Sequence, residues 1–235
     1  MSSPVFVQPA GTAPALSPNR IFPLVVGVVI ALVGLVIAFS GGAVLALFGS
    51  DGVLTSDRHA LTTSTTALVS GVTQIEDAAG TADVLGSTRV SIAADRRGGK
   101  DVFVGIARSA DVDRYLAGAA VAEVTDVELD PYRLSRQTRA GTATPSAPGA
   151  QDFWVARSSG GSTRVDWKVR DGNYRVVVMN ADGSRGVSSD ANVGISVPNL
   201  PELAWAGIIG GLLVAAGGVA IFFVATRRPR ESRPA

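Results

Sequence analysis

The sequence contains no cysteine, so disulfide bonds and thiolate chemistry are both excluded. Its single histidine is His59, so any mechanism that needs an imidazole base has to use this residue. Lysine is scarce as well, with 2 lysines against 19 arginines. Arginine and alanine have GC-rich codons and lysine has AT-rich codons, so this bias indicates a high-GC bacterial genome.

Charged residues are also few. They make up 17% of the chain, whereas about 25% is typical of soluble domains, and apolar residues make up 46%. The formal net charge of +1 gives no reason to expect nucleic acid as a partner. The composition instead predicts a membrane protein.

Two uncharged segments are long enough to cross a bilayer. Residues 21–48, IFPLVVGVVIALVGLVIAFSGGAVLALF, would extend about 42 Å as one helix. This exceeds the hydrocarbon core of about 30 Å, so we expect tilt or an early end near residues 40–42. Residues 203–225 are close to the ideal spanning length. A buried core helix is the alternative for each, but such length without a charge favours two transmembrane helices.

The flanking charges predict the orientation. Four arginines follow the second segment within the tail 226–235, and the positive-inside rule places such a cluster in the cytoplasm. Two spans then put both termini in the cytoplasm and residues 49–202 outside the cell membrane. The tail 1–20 has proline at positions 4, 9, 14 and 18 and little periodicity, so it is predicted to be disordered.

A cleaved signal peptide is the alternative interpretation of the first segment. Residues 44–46 have small side chains at a spacing that a signal peptidase accepts, and Arg20 could serve as the positive region. The apolar run is, however, about twice as long as the 7–15 residues of a typical signal peptide. We therefore expect an uncleaved anchor.

Small residues recur along one side of each predicted span. Such stripes let helix backbones approach closely, so they predict that the spans pack against each other or form a homodimer. Common Gly and Ala usage in this genome would produce the same pattern without function. The predicted stripe residues are Gly27, Ala31, Gly34, Ala38, Gly42, Gly207, Gly211, Ala215 and Gly218.

The region between the spans has the pattern of a mainly β domain. Its beginning, over residues 49–75, is rich in Thr, Ser and Val and favours strands. Short β-rich runs then alternate with Gly-, Asn- and Asp-containing turns, which predicts a β-sandwich or jelly-roll-like fold held between two transmembrane α-helices. A short helix is predicted over 111–119. The predicted strands are 87–93, 101–107, 120–129, 153–158, 163–169, 174–179 and 192–197.

The run YRVVVM at 174–179 is apolar on both faces, which predicts a central strand. We expect its partner to be TRVDWKV at 163–169, from which Trp167 would enter the core. The turn that follows contains Gly183, which is the natural position for a positive φ angle.

Catalytic and metal-binding patterns are sparse. The sequence has no G-x-S-x-G motif, no Cys/His cluster for zinc and no glycine-rich phosphate loop outside the spans and turns, so we expect no enzyme and no cofactor. Asp126, Glu128 and Asp130 alternate along one predicted strand, as do Asp111 and Asp113 in SADVD. Calcium binding is one interpretation. A solvated strand face, with Val127 and Leu129 in the core, is favoured.

Adjacent aromatic side chains at Phe153 and Trp154 follow a Pro/Gly/Ala-rich loop. Neighbouring strand positions face opposite sides, so one ring could lie in the core while the other stacks on a sugar or peptide. Coverage of the second ring by the preceding loop is the favoured alternative.

Three segments, VFVGIARSADVDRYLAG (102–118), QDFWVARSSGGSTRVDWKV (151–169) and GNYRVVVMNADGSRGV (172–187), resemble recurrent segments of a family of uncharacterised actinobacterial two-span membrane proteins. This resemblance implies the same architecture and no assigned activity. A second resemblance, to bacterial pre-peptidase C-terminal β-sandwiches, implies only a fold. Its matching positions are Asp111, Asp113, Tyr115, Leu116, Gly172 and Tyr174.

Together these features predict a membrane-anchored binding or structural module of the bacterial cell envelope. Its expected partners are the lipid bilayer, a second copy of the chain or an envelope protein, and its ligand could be a protein, a glycan or a lipid. The alternative is an envelope hydrolase that uses His59 or the carboxylates of the external domain.

Overall fold

The structure is a computed structural model that describes residues 18–129 and 132–227. It has two compact units. One contains the helical residues 18–43 and 203–227, and the other contains residues 44–202. Most of the predicted tail 1–20, most of the basic tail 226–235, and Asp130 lie outside the described residues.

Four α-helices and one short 3₁₀-helix are present in the described residues. The first and last α-helices are long and apolar, as the uncharged segments predict, and both are long enough to cross a membrane. The α-helices are α1 (Pro18–Phe48), α2 (Ala78–Leu85), α3 (Ser109–Tyr115) and α4 (Leu200–Thr226), and the 3₁₀-helix covers Pro148–Ala150.

The described part of the unit 44–202 contains twelve strands, which confirms that the region between the long helices is mainly β. They are β1 (Val53–Thr55), β2 (His59–Thr63), β3 (Ala67–Ser70), β4 (Thr73–Ile75), β5 (Arg89–Arg96), β6 (Val102–Arg108), β7 (Val121–Leu129), β8 (Tyr132–Arg139), β9 (Ala156–Gly160), β10 (Ser162–Lys168), β11 (Gly172–Asn180) and β12 (Val187–Ser196).

The strands form two sheets in a sandwich-like arrangement. The five-stranded sheet has the order β1-β12-β5-β10, and β2 also pairs with β12. The seven-stranded sheet has the order β8-β7-β3-β11-β6-β9, and β4 also pairs with β11. Among the described strands the pair β3 and β7 is parallel and the other pairs are antiparallel.

The core lies on both sides of β11. Tyr174 on one face of β11 packs on Trp167 of the five-stranded sheet, with ring centroids 4.7 Å apart. On the other face Val177 and Met179 are fully buried. Burial on both faces confirms that YRVVVM is a central strand.

The predicted partner of this strand is wrong. β11 pairs with β6 on one side and with β3 and β4 on the other, whereas the run 163–169 belongs to β10 and pairs with β5. The two runs are consecutive in the chain, but they lie in opposite sheets and meet through the side chains of Trp167 and Tyr174. Sequence adjacency favours a hairpin, and only the packing of the two sheets shows the crossover.

Most predicted strands and the helix near residue 111 are present with shifted ends. β12 starts five residues earlier than predicted, and β9 starts only after Phe153 and Trp154. Asp111 and Asp113 lie on α3 instead of a strand, where Asp111 pairs with Arg114 and Asp113 pairs with Arg175. Gly183 has the expected positive φ of 76°.

Candidate ligand-binding cavity

Alternation along the strands determines which side chains of the five-stranded sheet face the other sheet. Val193 of β12 pairs with Ile92 of β5, and Ile92 pairs with Val165 of β10, so these three side chains share one face. One pleat along, Leu54 of β1 pairs with Ile195 of β12. These side chains form an apolar inner surface.

The seven-stranded sheet supplies a matching apolar surface. Val176 and Val178 lie on the inner face of β11, and Leu68 of β3 pairs with Val178. On the outermost hairpin of this sheet, Val127 of β7 pairs with Leu134 of β8, next to a β-bulge between Val124 and Asp126. The bulge shifts the register so that Val127 again faces inward after Val124.

Between these two surfaces lies a cavity of about 290 Å³. Its walls are mostly Val, Leu and Ile from both sheets, with few polar groups. This volume is near the lower limit of about 300 Å³ for small-molecule sites. The side chains with polar groups that line it include Ser56, His59 and Ser70.

The cavity is open at one edge of the sandwich, where β8 of one sheet faces β1 and β2 of the other. Val127 and Val193 point toward the space between the sheets, yet they remain 46% and 45% exposed. Leu54 and Ile195 on the same inner face are also exposed. Core-facing apolar side chains are normally covered, so none of residues 18–129 and 132–227 fully covers this edge of the core.

Arg136 makes a polar link across this edge. It pairs with Val124 on the β7–β8 ladder, so its side chain lies on the face of the hairpin that lines the cavity. Its Nη1 donates a hydrogen bond to the carbonyl oxygen of Thr62 on β2, at 2.6 Å. Within the described part of the chain no carboxylate oxygen lies within 4 Å of this guanidinium, so its charge is not neutralised by an ion pair.

His59 lines the cavity, so the predicted hydrolase alternative depends on which hydroxyl groups lie there with it and on their hydrogen bonds. His59 pairs with Ala191 on β12, and Ser56 and Ser70 line the same cavity. Ser56 Oγ donates to the Asp57 carbonyl oxygen and accepts from the Val193 N–H, at 3.2 and 3.0 Å. Ser70 Oγ donates to the Gly71 carbonyl oxygen and accepts from the Val176 N–H, both at 2.9 Å. Both hydroxyl groups therefore donate to backbone, whereas a nucleophilic serine donates to its base.

The acidic residues do not form a metal site in the described part of the chain. No group of three or more potential ligands among His, Asp and Glu is close enough to hold an ion there. Asp126 Oδ1 accepts from the Val127 N–H at 2.9 Å, and Glu128 lies 4.0 Å from Arg133. These contacts are those of a solvated strand face.

Phe153 and Trp154 belong to the packing around α3. Trp154 is buried, and its indole N–H donates to the Pro148 carbonyl oxygen at 2.9 Å. Phe153 lies between Trp154 and Tyr115, with ring centroids at 4.6 and 5.5 Å. The preceding loop therefore covers Trp154, which is the favoured alternative from the sequence.

A second recess of about 420 Å³ lies beside α2. Lys168, Arg170 and Glu76 give it charged walls. Asp171 Oδ1 accepts from the Ala78 N–H at the start of α2, at 2.7 Å. None of the residues of α2 is buried, so this recess is a surface feature beside an exposed helix.

The small residues of the long helices come together in antiparallel order. A Cβ added to Gly34 would lie 2.5 Å from the Gly211 carbonyl oxygen, and one added to Gly27 would lie 2.8 Å from the Gly218 carbonyl oxygen. Backbone contact at these positions leaves no space for a side chain. Ala31, Ala38 and Ala215 border the same contacts.

Two residues of the predicted stripe lie elsewhere. A Cβ added to Gly42 or to Gly207 would have no neighbour within 4 Å. Gly41 takes the place expected for Gly42, since its Cβ would lie 2.5 Å from the Ala204 carbonyl oxygen. The contact positions 27, 34 and 41 are seven residues apart, with Ala31 and Ala38 between them, so the contacts keep the predicted alternation of four and three residues, which is the heptad spacing of a left-handed helix pair.

Comparisons with protein-family models, with curated proteins and with solved structures find no match for this chain. The resemblances to actinobacterial two-span proteins and to pre-peptidase C-terminal sandwiches therefore stay predictions, and function has to be argued from the site.

Proposed function

We propose that this chain is a two-span protein of the bacterial cell membrane, whose β unit lies outside the cytoplasm and acts as a binding module. The cavity between the sheets is its binding site. The observation that carries this proposal is the open apolar edge, where Val127 and Val193 face the core but remain 46% and 45% exposed. Binding an apolar group there would complete the sandwich.

The chemistry of the cavity supports binding in preference to catalysis. Its walls are apolar, and the hydroxyl groups of Ser56 and Ser70 are hydrogen-bonded to backbone. A hydrolase needs an activated nucleophile together with polar groups that stabilise developing charge. The presence of His59 on the same cavity is the one observation that favours hydrolysis, so it provides the discriminating test.

Complementation of a deletion strain tests the proposal. Val193→Trp should block the mouth of the cavity and fail to restore the phenotype of the deletion. Val155→Trp is the matched control, because Val155 is also 45% exposed but does not line the cavity. This control and His59→Ala should both restore growth or morphology to the wild-type level.

The outcomes separate the two functions. Failure of His59→Ala, with normal amounts of folded and inserted protein, would favour the hydrolase. Full complementation by Val193→Trp would show that the cavity has no role, and the binding proposal would be wrong.

A further inference from the structure

The size and walls of the cavity restrict the chemistry of its ligand. The volume of about 290 Å³ leaves room for water molecules, but the mostly apolar walls offer them few hydrogen-bond partners. An engineered apolar cavity of about 150 Å³ stays dry and binds benzene. A cavity of this size and lining is therefore suited to a hydrocarbon group larger than benzene.

The open edge, where Val127 and Val193 are 46% and 45% exposed, restricts the shape of the ligand. An apolar part must lie between the sheets while the remainder lies at the edge formed by β8, β1 and β2. Sugar rings and peptide backbone would bring many polar groups against walls that offer few hydrogen-bond partners, which disfavours their burial there. A flexible hydrocarbon chain with a polar end satisfies both conditions.

Charge at the open edge indicates the sign of that polar end. Arg136 lies on the cavity side of β8, and its guanidinium binds only a backbone carbonyl oxygen among its described partners. Arg133 also lies on β8, three residues before Arg136, but its charge is paired with that of Glu128 at 4.0 Å. Of the other acidic groups on the adjoining described segments, Glu123 of β7 pairs with Arg175, and neither Asp57 nor Asp126 forms an ion pair with Arg136. An anionic group would complement Arg136.

We infer that the cavity binds one hydrocarbon chain of an anionic membrane lipid, whose charged headgroup is held at the open edge by Arg136. This inference rests on the proposed function and specifies its ligand. The same chain carries two helices long and apolar enough to cross a membrane, so membrane lipid is the source of such hydrocarbon chains that fits the proposed function.

Photolabelling of the full chain in vesicles tests the inference. The vesicles contain phosphatidylcholine and a small fraction of phosphatidylglycerol with a diazirine in one acyl chain, and matched vesicles carry the diazirine on phosphatidylcholine. Mass spectrometry should find labelled peptides from β8 and β12 in addition to α1 and α4, whose labelling serves as the internal reference. Labelling of β8 and β12 should be about two- to fivefold stronger with phosphatidylglycerol, the effect of one partly exposed charge pair.

Two pairs of variants make the test specific. Val193→Trp should remove most labelling of β8 and β12, whereas Val155→Trp should not. Arg136→Gln should remove the preference for phosphatidylglycerol. Arg139→Gln is its charge-matched control, because Arg139 pairs with Val121 and so lies on the opposite face of β8.

Three results would overturn the inference. Labelling confined to α1 and α4 would exclude a lipid chain in the cavity, and so would unchanged labelling of Val193→Trp. A preference for phosphatidylglycerol that survives Arg136→Gln would overturn the role of Arg136. If labelling is absent but Val193→Trp still fails to complement the deletion, the binding module stands and this lipid assignment alone is wrong.

Discussion

Arg175 is a cation on β11 held by groups from three other elements. Its Nη1 lies 2.7 Å from Glu123 on β7 and donates to the Ser70 carbonyl oxygen on β3 at 3.1 Å. Its Nε lies 3.5 Å from Asp113 on α3, an ion pair without a hydrogen bond. The side chain is only 12% exposed, so these contacts are less screened by solvent than those of the surface pairs.

Arg175→Met should destabilise the β unit by about 1–2 kcal/mol, because it removes a charge-assisted hydrogen bond while its acidic partners stay hydrated. The measurement is chemical unfolding of the full chain in detergent, monitored by tryptophan fluorescence. Arg164→Met is the control, because Arg164 pairs with Asp166 on an exposed face. An equal loss in both variants would contradict the special role of Arg175.

Tyr115 is the residue for which we predict a pH dependence. Its hydroxyl group donates to the Ser146 carbonyl oxygen at 2.6 Å, and desolvation by burial raises the pKa of Tyr115 to about 12. Folding therefore favours the neutral phenol. The stability that this preference contributes is fully present below the unfolded pKa of about 10, and it is lost as the pH rises through about 12.

Tyr115→Phe should cost about 1 kcal/mol at pH 7, because it removes the hydrogen bond. The difference between the wild type and this variant should shrink as the pH rises from about 10 to about 12, since ionisation destabilises only the wild type. Thermal unfolding midpoints across this pH range measure the effect. A constant difference up to pH 12 would show that Tyr115 ionises at an unshifted pKa.

At the scale of elements, the long helices are paired by backbone contact at small residues. Gly27 lies opposite Gly218, and Gly34 lies opposite Gly211. In the two-span topology that we propose, the surrounding lipid supplies no hydrophobic force between two apolar helices, so close packing has to supply the attraction. The residue number rises along α1 as that of its partner falls along α4, as an antiparallel pair requires.

Gly34→Leu should separate the helices, because its side chain has no space beside the Gly211 carbonyl oxygen. The helix pair of this variant should unfold at a lower mole fraction of SDS than that of the wild type. Circular dichroism in mixed micelles monitors the unfolding. Gly42→Leu is the matched control on the same helix, since nothing lies within 4 Å of that position. Equal SDS sensitivity of the two variants would contradict the pairing.

At the scale of the whole molecule, the two long apolar helices flank a mostly β unit in the chain. Both have the length and composition of membrane spans. The orientation that we propose comes from the arginines near the C-terminus, of which Arg227 alone lies within the described residues. The proposed orientation therefore depends on the charge of the C-terminal tail, and a topology experiment tests it directly.

Reporter fusions test the proposed topology. Alkaline phosphatase is active only outside the cytoplasm, so fusions at a loop within 49–202 should be active and fusions at either terminus should be inactive. Fluorescent-protein fusions should show the reverse pattern and serve as the control. Phosphatase activity at a terminus would contradict the orientation.

Several features of the fold follow from the sequence because their causes are local. Uncharged runs of more than 20 residues predict the long helices, and short alternating or continuously apolar runs between turn residues predict β5, β6, β7, β10 and β11. β8, α2 and the 3₁₀-helix were not predicted. β8 has Leu134 as its main apolar signal among charged and polar neighbours, and α2 is a single short helix that contains Gly80 and Thr81 and buries no residue.

The candidate site depends on contacts that local patterns do not specify. The sequence identifies Val127 as a core-facing residue and His59 as the one histidine, but it does not place them on the same cavity. That placement requires β2 to pair with β12, β7 to pair with β3 in parallel, and the two sheets to remain apart at the edge near Arg136. Strand alternation determines which face of a strand is apolar. Whether other side chains cover that face is decided only when the two sheets pack together, because the covering residues are distant in sequence.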